Sequence, residues 1–418
     1  MLIDFKVQNY RSFKTEQDFS MQTGKRLRKY QDSNTVMSID GRLLKSALIF
    51  GANANGKTNL IKALIMLKNL VTNPTKDELQ KLMTDTFGYN KKNTVFEICF
   101  SVAENKYRYA LEYNANEVVS EQLSMNETLI FSRDEQSFTT VPVQLSPLID
   151  NVRKNQLLLY FAQQNNEEHA KAVYRWFVED LIFVNTDQIR NDRFKALQDE
   201  KFKHKFLNFL RAADFNIVDV EVRERKETVP TPESIIKKLN ANGDSDAAAD
   251  DIEFMNSVRY DIYSTHKSEN GQFPVYFNNE STGTKVFMFL ALYILNNSEK
   301  TLMIDEFDRS YHLELAQALL TLINSKNQNN QFILTTHELS LMDSELRQDQ
   351  IWFAEKNRFG ESELFSIFDF DDPALKRGDF NYKKRYLEGI YGATQLVNRN
   401  LLLEALLEEW AESAKKES

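Results

Sequence analysis

Four short runs in this sequence carry side chains suited to handling a polyphosphate. Gly51-Ala52-Asn53-Ala54-Asn55-Gly56-Lys57-Thr58 fits the spacing G-x-x-x-x-G-K-[ST]. Glycines at both ends let a loop fold tightly enough for backbone N–H groups to face an anion, which a following helix N-terminus also favours. Lys57 then reaches the outer phosphates, and Thr58 is placed to hold Mg²⁺. Thr301-Leu302-Met303-Ile304-Asp305-Glu306 is an apolar run ending in two carboxylates: Asp305 suits the metal, and Glu306 suits orienting or deprotonating an attacking water. His337 closes the run Phe332-Ile333-Leu334-Thr335-Thr336-His337, where its imidazole would lie near a terminal phosphate. Glu280-Ser281-Thr282-Gly283-Thr284 opens a helix with a hydroxyl, a flexible residue and orphan N–H donors, which together suit an anion. Taken alone, each run has an ordinary structural role: a glycine turn, an Asp-Glu helix cap, a structural histidine, a Ser or Thr N-cap. Their conjunction in one chain is what favours the phosphate reading.

These residues need a scaffold, and hydrophobic periodicity supplies one. Leu43–Phe50 reads as a strand running into Gly51, and Asn59–Val71 carries Leu60, Ala63, Leu64, Leu67 and Leu70 at helical spacing. The phosphate loop therefore sits between strand and helix. The opening Leu2–Tyr10 alternates as a strand and turns at Arg11 and Ser12. Thr94 to about Gln144 reads as an antiparallel meander, and residues 150–215 as helical, with a strand at 181–185. From Phe273 onward strands and helices alternate (strands at 273–277, 301–304, 332–335 and 351–355; helices at 284–295 and 312–323), which implies parallel pairing with right-handed crossovers. The fold class is α/β: a phosphate-loop head with a parallel core sheet, an antiparallel β lobe and a helical insertion. Four segments follow. Residues 1–150 form the N-terminal half of the head, 151–270 a helical insertion with a mobile acidic linker near 227–251, 271–395 the C-terminal half, and 396–418 an amphipathic helix.

Composition narrows the class. Only 12 glycines occur in 418 residues, so those in the two anion loops stand out, and bulky substitution at Gly51, Gly56 or Gly283 is expected to harm nucleotide binding or dimer closure far more than folding. A net charge of −9 excludes a wholly basic coat but not a local patch such as Lys25, Arg26, Arg28 and Lys29, which reads either as a solvated hairpin or as a contact for nucleic-acid phosphate. The single cysteine, Cys99, permits no disulfide within the chain and favours a reducing compartment, with cytoplasm as the default. The N-terminus lacks the apolar core of a signal peptide, and no apolar run reaches the roughly 18 residues of a membrane span.

In this order the four runs resemble the nucleotide-binding head of ABC-type ATPases, of the SMC, RecF and OLD-like branch. Asn53 and the Gly56-Lys57-Thr58-Asn59 run look like that branch's loop, as does Val7-Gln8-Asn9-Tyr10-Arg11-Ser12-Phe13. Ser281-Thr282-Gly283 is similar to the signature motif, although Thr282 stands where many relatives have Gly or an acid, and Asp308-Arg309-Ser310 corresponds to the loop after the second carboxylate. Tyr386-Leu387-Glu388-Gly389 and Tyr391-Gly392-Ala393 look like the closing motif of AbiL-type ATPases. The resemblance implies a homodimer of heads sandwiching two ATP molecules with Mg²⁺, from which a higher oligomer can be built. Gly51, Asn53, Asn55, Gly56, Lys57, Thr58, Asn59, Arg11 and Ser12 would contact nucleotide in one subunit, and Ser281 and Gly283 in trans. Thr58 and Asp305 would hold the metal, and Glu306 and His337 would act in catalysis. The family's metal-contacting glutamine has only Gln80 and Gln122 as poor candidates.

Two functions are weighed. One is a nucleotide-switched sensor or scaffold of a bacterial anti-phage system, similar to PARIS or Septu ATPase subunits, controlling an effector from the same operon. Only 81 residues follow His337, which leaves little room for an appended Toprim nuclease. The other is a RecF-like ATPase that binds DNA directly. A transporter subunit is disfavoured, since the chain offers no span and carries a long insertion between Lys57 and Ser281.

Overall fold

The computed structural model describes residues 1–184, 191–230, 254–296, 299–309, 311–370, 381–391 and 403. The chain opens with β1 (Leu2–Gln8) and β2 (Gln17–Ser20), and a single helical turn at Gln31–Asn34 leads to β3 (Thr35–Ser38) and β4 (Gly41–Leu44). The expected strand from Leu43 is two elements: β4 pairs back onto β3, and after Lys45 the chain enters the core as β5 (Ser46–Phe50). Lys45 marks the break because its ammonium is drawn inside, donating to Ser325 O at 2.7 Å. The phosphate-loop helix α1 spans Lys57–Thr72 and buries Leu60, Ile61, Ala63, Leu64, Leu67 and Leu70 along one stripe.

The meander comprises β6 (Thr94–Val102), β7 (Asn105–Tyr113), β8 (Val118–Met125), β9 (Thr128–Asp134) and β10 (Ser137–Thr140). With β1 and β2 it forms a seven-stranded antiparallel sheet of order β10-β9-β8-β7-β6-β1-β2. Two short helices, α2 (Leu158–Gln164) and α3 (Glu168–Arg175), then lead to β11 (Leu181–Val184), and α4 covers Glu200–Ala212.

The insertion expected to be helical as far as residue 270 turns to β after residue 216. β12 (Ile217–Pro230) and β13 (Phe254–Ser268) form a long antiparallel hairpin, joined by β14 (Gly271–Tyr276). The sequence Ile217-Val218-Asp219-Val220-Glu221-Val222-Arg223 alternates apolar and charged residues, so Val220 and Val222 turn toward the core and Glu221 and Arg223 toward solvent, a period of two rather than 3.6. Residues 227–230 of the expected linker lie in β12; the rest of it is outside the described residues, as is the helix expected over 397–415 apart from Leu403.

The C-terminal half contributes α5 (Thr282–Leu295), β15 (Thr301–Ile304), α6 (Leu313–Ile323), β16 (Gln331–Thr335), β17 (Ile351–Lys356), β18 (Ser362–Ser366) and α7 (Tyr382–Leu387). The core sheet has the order β11-β15-β16-β5-β17-β18, parallel except for β18. It is covered on both faces, and the pleat divides its strands between two cores. Ala47, Ile49, Met303 and Ile333 pack with α1 and the antiparallel lobe, whereas Leu48, Phe50, Leu302, Ile304, Phe332 and Leu334 pack with α5 and α6. The Tyr386 and Tyr391 motif has a packing role here, since both rings stack on Phe353 of β17 with centroids 5.3 and 5.4 Å away.

Candidate functional site

Parallel pairing brings separate runs of sequence to one edge. β15 registers Ile304 against Leu334 of β16, and β16 registers Thr335 against Ile49 of β5, so Gly51, Asp305 and His337 all emerge at the carboxyl ends of adjacent strands. In open α/β sheets that edge is where ligands bind.

The loop is shaped by conformations that glycine tolerates. Gly51 has φ 144° and Gly56 φ 105°, and Ala54 between them adopts φ 65°. A Cβ on Gly51 would sit 2.4 Å from Ala354 O, and one on Gly56 would sit 2.5 Å from Ser362 Oγ and 3.0 Å from Ser12 Oγ. Both glycines are therefore required by the fold as well as by any ligand, so the cost of replacing them falls on folding too, against the expectation that nucleotide binding or dimer closure would bear far more of it than folding. Helix α1 begins at Lys57 with no side-chain cap; Asn59 N turns back to Gly56 O at 2.9 Å, and the N–H groups of Lys57 and Thr58 are left at the loop. That is the arrangement an anion needs.

Lys57 is 5 % exposed; its Nζ donates to the loop's own carbonyls, Gly51 O at 2.7 Å and Ala52 O at 3.1 Å, and lies 3.4 Å from His337 Nδ1. Burial pushes its ammonium down to about 8, against the opposing pull of Asp305, Asp308 and Glu306. His337 is also held below the usual imidazole range, by desolvation and then by the Lys57 charge, so near neutral pH it is an uncharged imidazole beside a cation.

Thr58 Oγ1 donates to Asp305 Oδ1 at 3.0 Å, and the same carboxylate oxygen accepts from Thr335 Oγ1. Thr335 Oγ1 in turn accepts from Glu306 N at 2.8 Å. Glu306 takes φ 51°, a left-handed conformation unusual for a glutamate, and its carboxylate pairs with Arg309 at 2.7 Å. Asp308 Oδ1 accepts from His337 N at 3.2 Å, tying the loop after Glu306 to the histidine. A hydroxyl and a carboxylate in direct contact at a phosphate loop suit Mg²⁺, which is commonly held by one or two protein oxygens with phosphates and water completing its shell. The residues thus fit the metal expected.

The other expected residues are placed unevenly. Ser12 and Asn59 meet behind the loop, Asn59 Nδ2 donating to Ser12 Oγ at 2.6 Å, while Ser12 O accepts from Ser362 N at 2.7 Å. Arg11 turns away to Asp85, with 2.6 Å from Nε to the carboxylate, and lies 5.9 Å from the centroid of the Tyr10 ring. Asn53 is exposed and Asn55 half-buried. Ser281 caps α5 through Thr284 N at 3.1 Å. With Thr282, Gly283, Asp305, Glu306 and Arg309 it lines a cleft of about 690 Å³, to which Gly51–Thr58 contribute nothing among the described residues. Gln80 accepts from Lys76 N in its own turn and Gln122 lies in β8 of the antiparallel sheet, so neither joins the site; the sheet position beside Asp305 belongs to β11, and residues 185–190 after it are outside the described set. Ser310 is also outside it.

Lys25, Arg26, Arg28 and Lys29 are exposed, but not in a hairpin, since β2 pairs with β1 and the basic stretch crosses to the next sheet. It is strapped from beneath: Arg347 Nη1 donates to Leu27 O and Lys29 O at 3.0 Å each, and Gly24 N donates to Asp349 Oδ2 at 2.8 Å.

Sequence reasoning missed Thr335 and Ser362. Thr335 had a signal, as the last residue of the strand before His337. Ser362 had none, because its approach to Gly56 depends on β17 and β18 folding back beside the loop.

Residues 46–343 match the family model described as "AAA domain, putative AbiEii toxin, Type IV TA system". Among curated proteins none matches the chain. Solved structures that resemble it include an SMC head domain from Thermotoga maritima, at 15 % identity and TM-score 0.38, covering 87 % of this chain and 98 % of that one. Another is an Smc head bound to the C-terminal winged-helix domain of ScpA, at 10 % identity and TM-score 0.40, covering 87 % and 97 %. A third, titled as an Smc head with an extended coiled coil bound to the C-terminal domain of ScpA derived from Pyrococcus furiosus, has 11 % identity and TM-score 0.42, covering 93 % and 99 %.

Proposed function

The chain belongs to the AAA domain family described as "putative AbiEii toxin, Type IV TA system", and from that premise we propose that it is a Mg²⁺-dependent ATPase whose nucleotide state switches a head-to-head homodimer. The observation that carries this reading is the junction of Lys57, Thr58, Asp305, Glu306 and His337 at one sheet edge, held directly or through Thr335 and Asp308 by hydrogen bonds of 2.5 to 3.4 Å. Lys57 would give up its loop carbonyls for phosphate oxygens of ATP. Thr58 and Asp305 would hold Mg²⁺, which neutralises phosphate charge when bound. Glu306 would orient and deprotonate the attacking water. His337, kept neutral by its surroundings, would contact the terminal phosphate as a hydrogen-bonding partner. In the two-chain arrangement Ser281 and Gly283, which share an open cleft with Asp305 and Glu306, would meet ATP held by the partner subunit.

The wider role we propose is a cytoplasmic sensor or scaffold of bacterial anti-phage defence, with the effector, a nuclease by class, encoded separately. Among the described residues no helix is long and apolar enough to cross a membrane. A second reading, direct DNA binding in the manner of a repair ATPase, is favoured by one observation: the four cations at 25–29 are all exposed on a fixed loop.

The test is Glu306→Gln. ATP binding should persist, turnover should fall by at least about a hundredfold, and ATP should convert the protein to a dimer that light scattering detects. Hydrolysis at the parent's rate would remove Glu306 from the mechanism.

A further inference from the structure

Away from the nucleotide edge, a cavity of about 260 Å³ lies between the second half of α1, the edge strand β11 and the second half of α5. Lys68 and Asn69 reach it from α1, Phe183 from β11, Phe289 and Tyr293 from α5, and Arg193 from the turn after residue 190. Lys68 and Arg193 are the two basic residues of this lining. Lys68 is fixed over the cavity by donating to Leu181 O at 2.6 Å.

Arg193 differs from the other arginines that structure the head. Arg347 is chelated by Asp349 and two carbonyls, and Arg133 donates to carbonyls of Glu135, Gln156, Arg153 and Lys154. Arg193 makes no hydrogen bond or ion pair among the described residues, and its Nε is buried without an acceptor. A buried guanidinium nitrogen left in that state is unfavourable and calls for an acceptor. Opposite it, aromatic and aliphatic walls would shed water onto any apolar group placed between them.

We propose that this cavity binds a small organic anion, a carboxylate or phosphate monoester carried on one planar apolar group, with Arg193 taking the charge and Phe183, Phe289 and Tyr293 the plane. Its volume lies just below the roughly 300 Å³ at which drug-sized sites begin, which suits a small occupant. The occupant would touch α1, which starts at the phosphate loop, and α5, which starts at Ser281, and would so join the two helices that open the anion loops.

The experiment uses the full chain carrying Lys57→Met, so that the phosphate loop does not answer in place of the cavity. Phenyl phosphate and benzoate are titrated by calorimetry, with inorganic phosphate and phenol as the charge-only and ring-only controls. Binding of phenyl phosphate or benzoate, tighter than either control and weakened at least about tenfold by Arg193→Met, is the expected result, and the tighter of the two identifies the charged group. Asn69→Asp, which sets a carboxylate in the lining, should weaken it similarly and serves if Arg193→Met does not fold. No binding of either probe up to about 10 mM, or binding that both substitutions leave unchanged, overturns the proposal.

Discussion

Lys57→Met should remove nucleotide binding and yet leave the unliganded head at least as stable as the parent near neutral pH. The ammonium is buried in a loop where, among the described residues, its hydrogen-bond partners are two carbonyls and an imidazole nitrogen, and its pKa falls from 10.5 to about 8. At about 1.36 kcal/mol per pKa unit this corresponds to roughly 3 kcal/mol against the charged form, and to about 1–2 kcal/mol once water reaching the open loop is allowed for. The sign is set by proton counts. Between about 8 and 10.5 the unfolded chain holds a proton that the folded one has released, so the parent gains stability with rising pH across that window, whereas below it the full penalty stands. Methionine fills the same space without the charge. The variant should therefore melt at or above the parent at about pH 7 and lose that advantage by about pH 10. Loss of the charged donors to phosphate should weaken ATP by about 3 kcal/mol, or more than a hundredfold. Parent affinity should itself decline above about pH 8, as the resting lysine deprotonates. Circular-dichroism melts across this pH range and titration with a fluorescent ATP analogue measure both effects. A variant that melts well below the parent at neutral pH, by a margin that pH does not alter, would refute the reasoning.

Gly51→Ala should destabilise the fold by at least about 2 kcal/mol, because its Cβ meets a backbone carbonyl 2.4 Å away at φ 144°; a parent-like urea midpoint would show that β17 yields more easily than its packing implies. Neutralising Lys25, Arg26, Arg28 and Lys29 together should leave the melting temperature unchanged, since the strap uses backbone groups. If the loop touches DNA, the same change should reduce the salt slope of binding by up to about 3.6, at about 0.9 per phosphate contact, and an unchanged slope would exclude this loop from the DNA interface.

The phosphate loop was legible because its chemistry is local. Gly51, Gly56, Lys57 and Thr58 act within one strand-loop-helix unit, and the apolar runs on either side identify that unit without tertiary information. The same holds for Asp305, Glu306 and His337, each set by the end of a buried strand. The long β12-β13 hairpin was missed although Val220 and Val222 alternate with charges, because the helical character of the preceding residues was extended too far. The break at Lys45 was illegible in principle, since only the distant carbonyl of Ser325 gives that lysine a place inside.

The sequence by itself determined which side chains can meet a polyphosphate and which strand end carries each, because strand, loop and helix are specified by neighbours a few residues apart. Tertiary structure alone decided that Thr335 joins Asp305 to Glu306, that Ser12 and Ser362 close on Gly56, that Arg11 faces Asp85, and that Ser281 opens on a cleft apart from the phosphate loop. Those contacts depend on strand order and on the pleat, which set the distance between segments hundreds of residues apart and which no local pattern encodes.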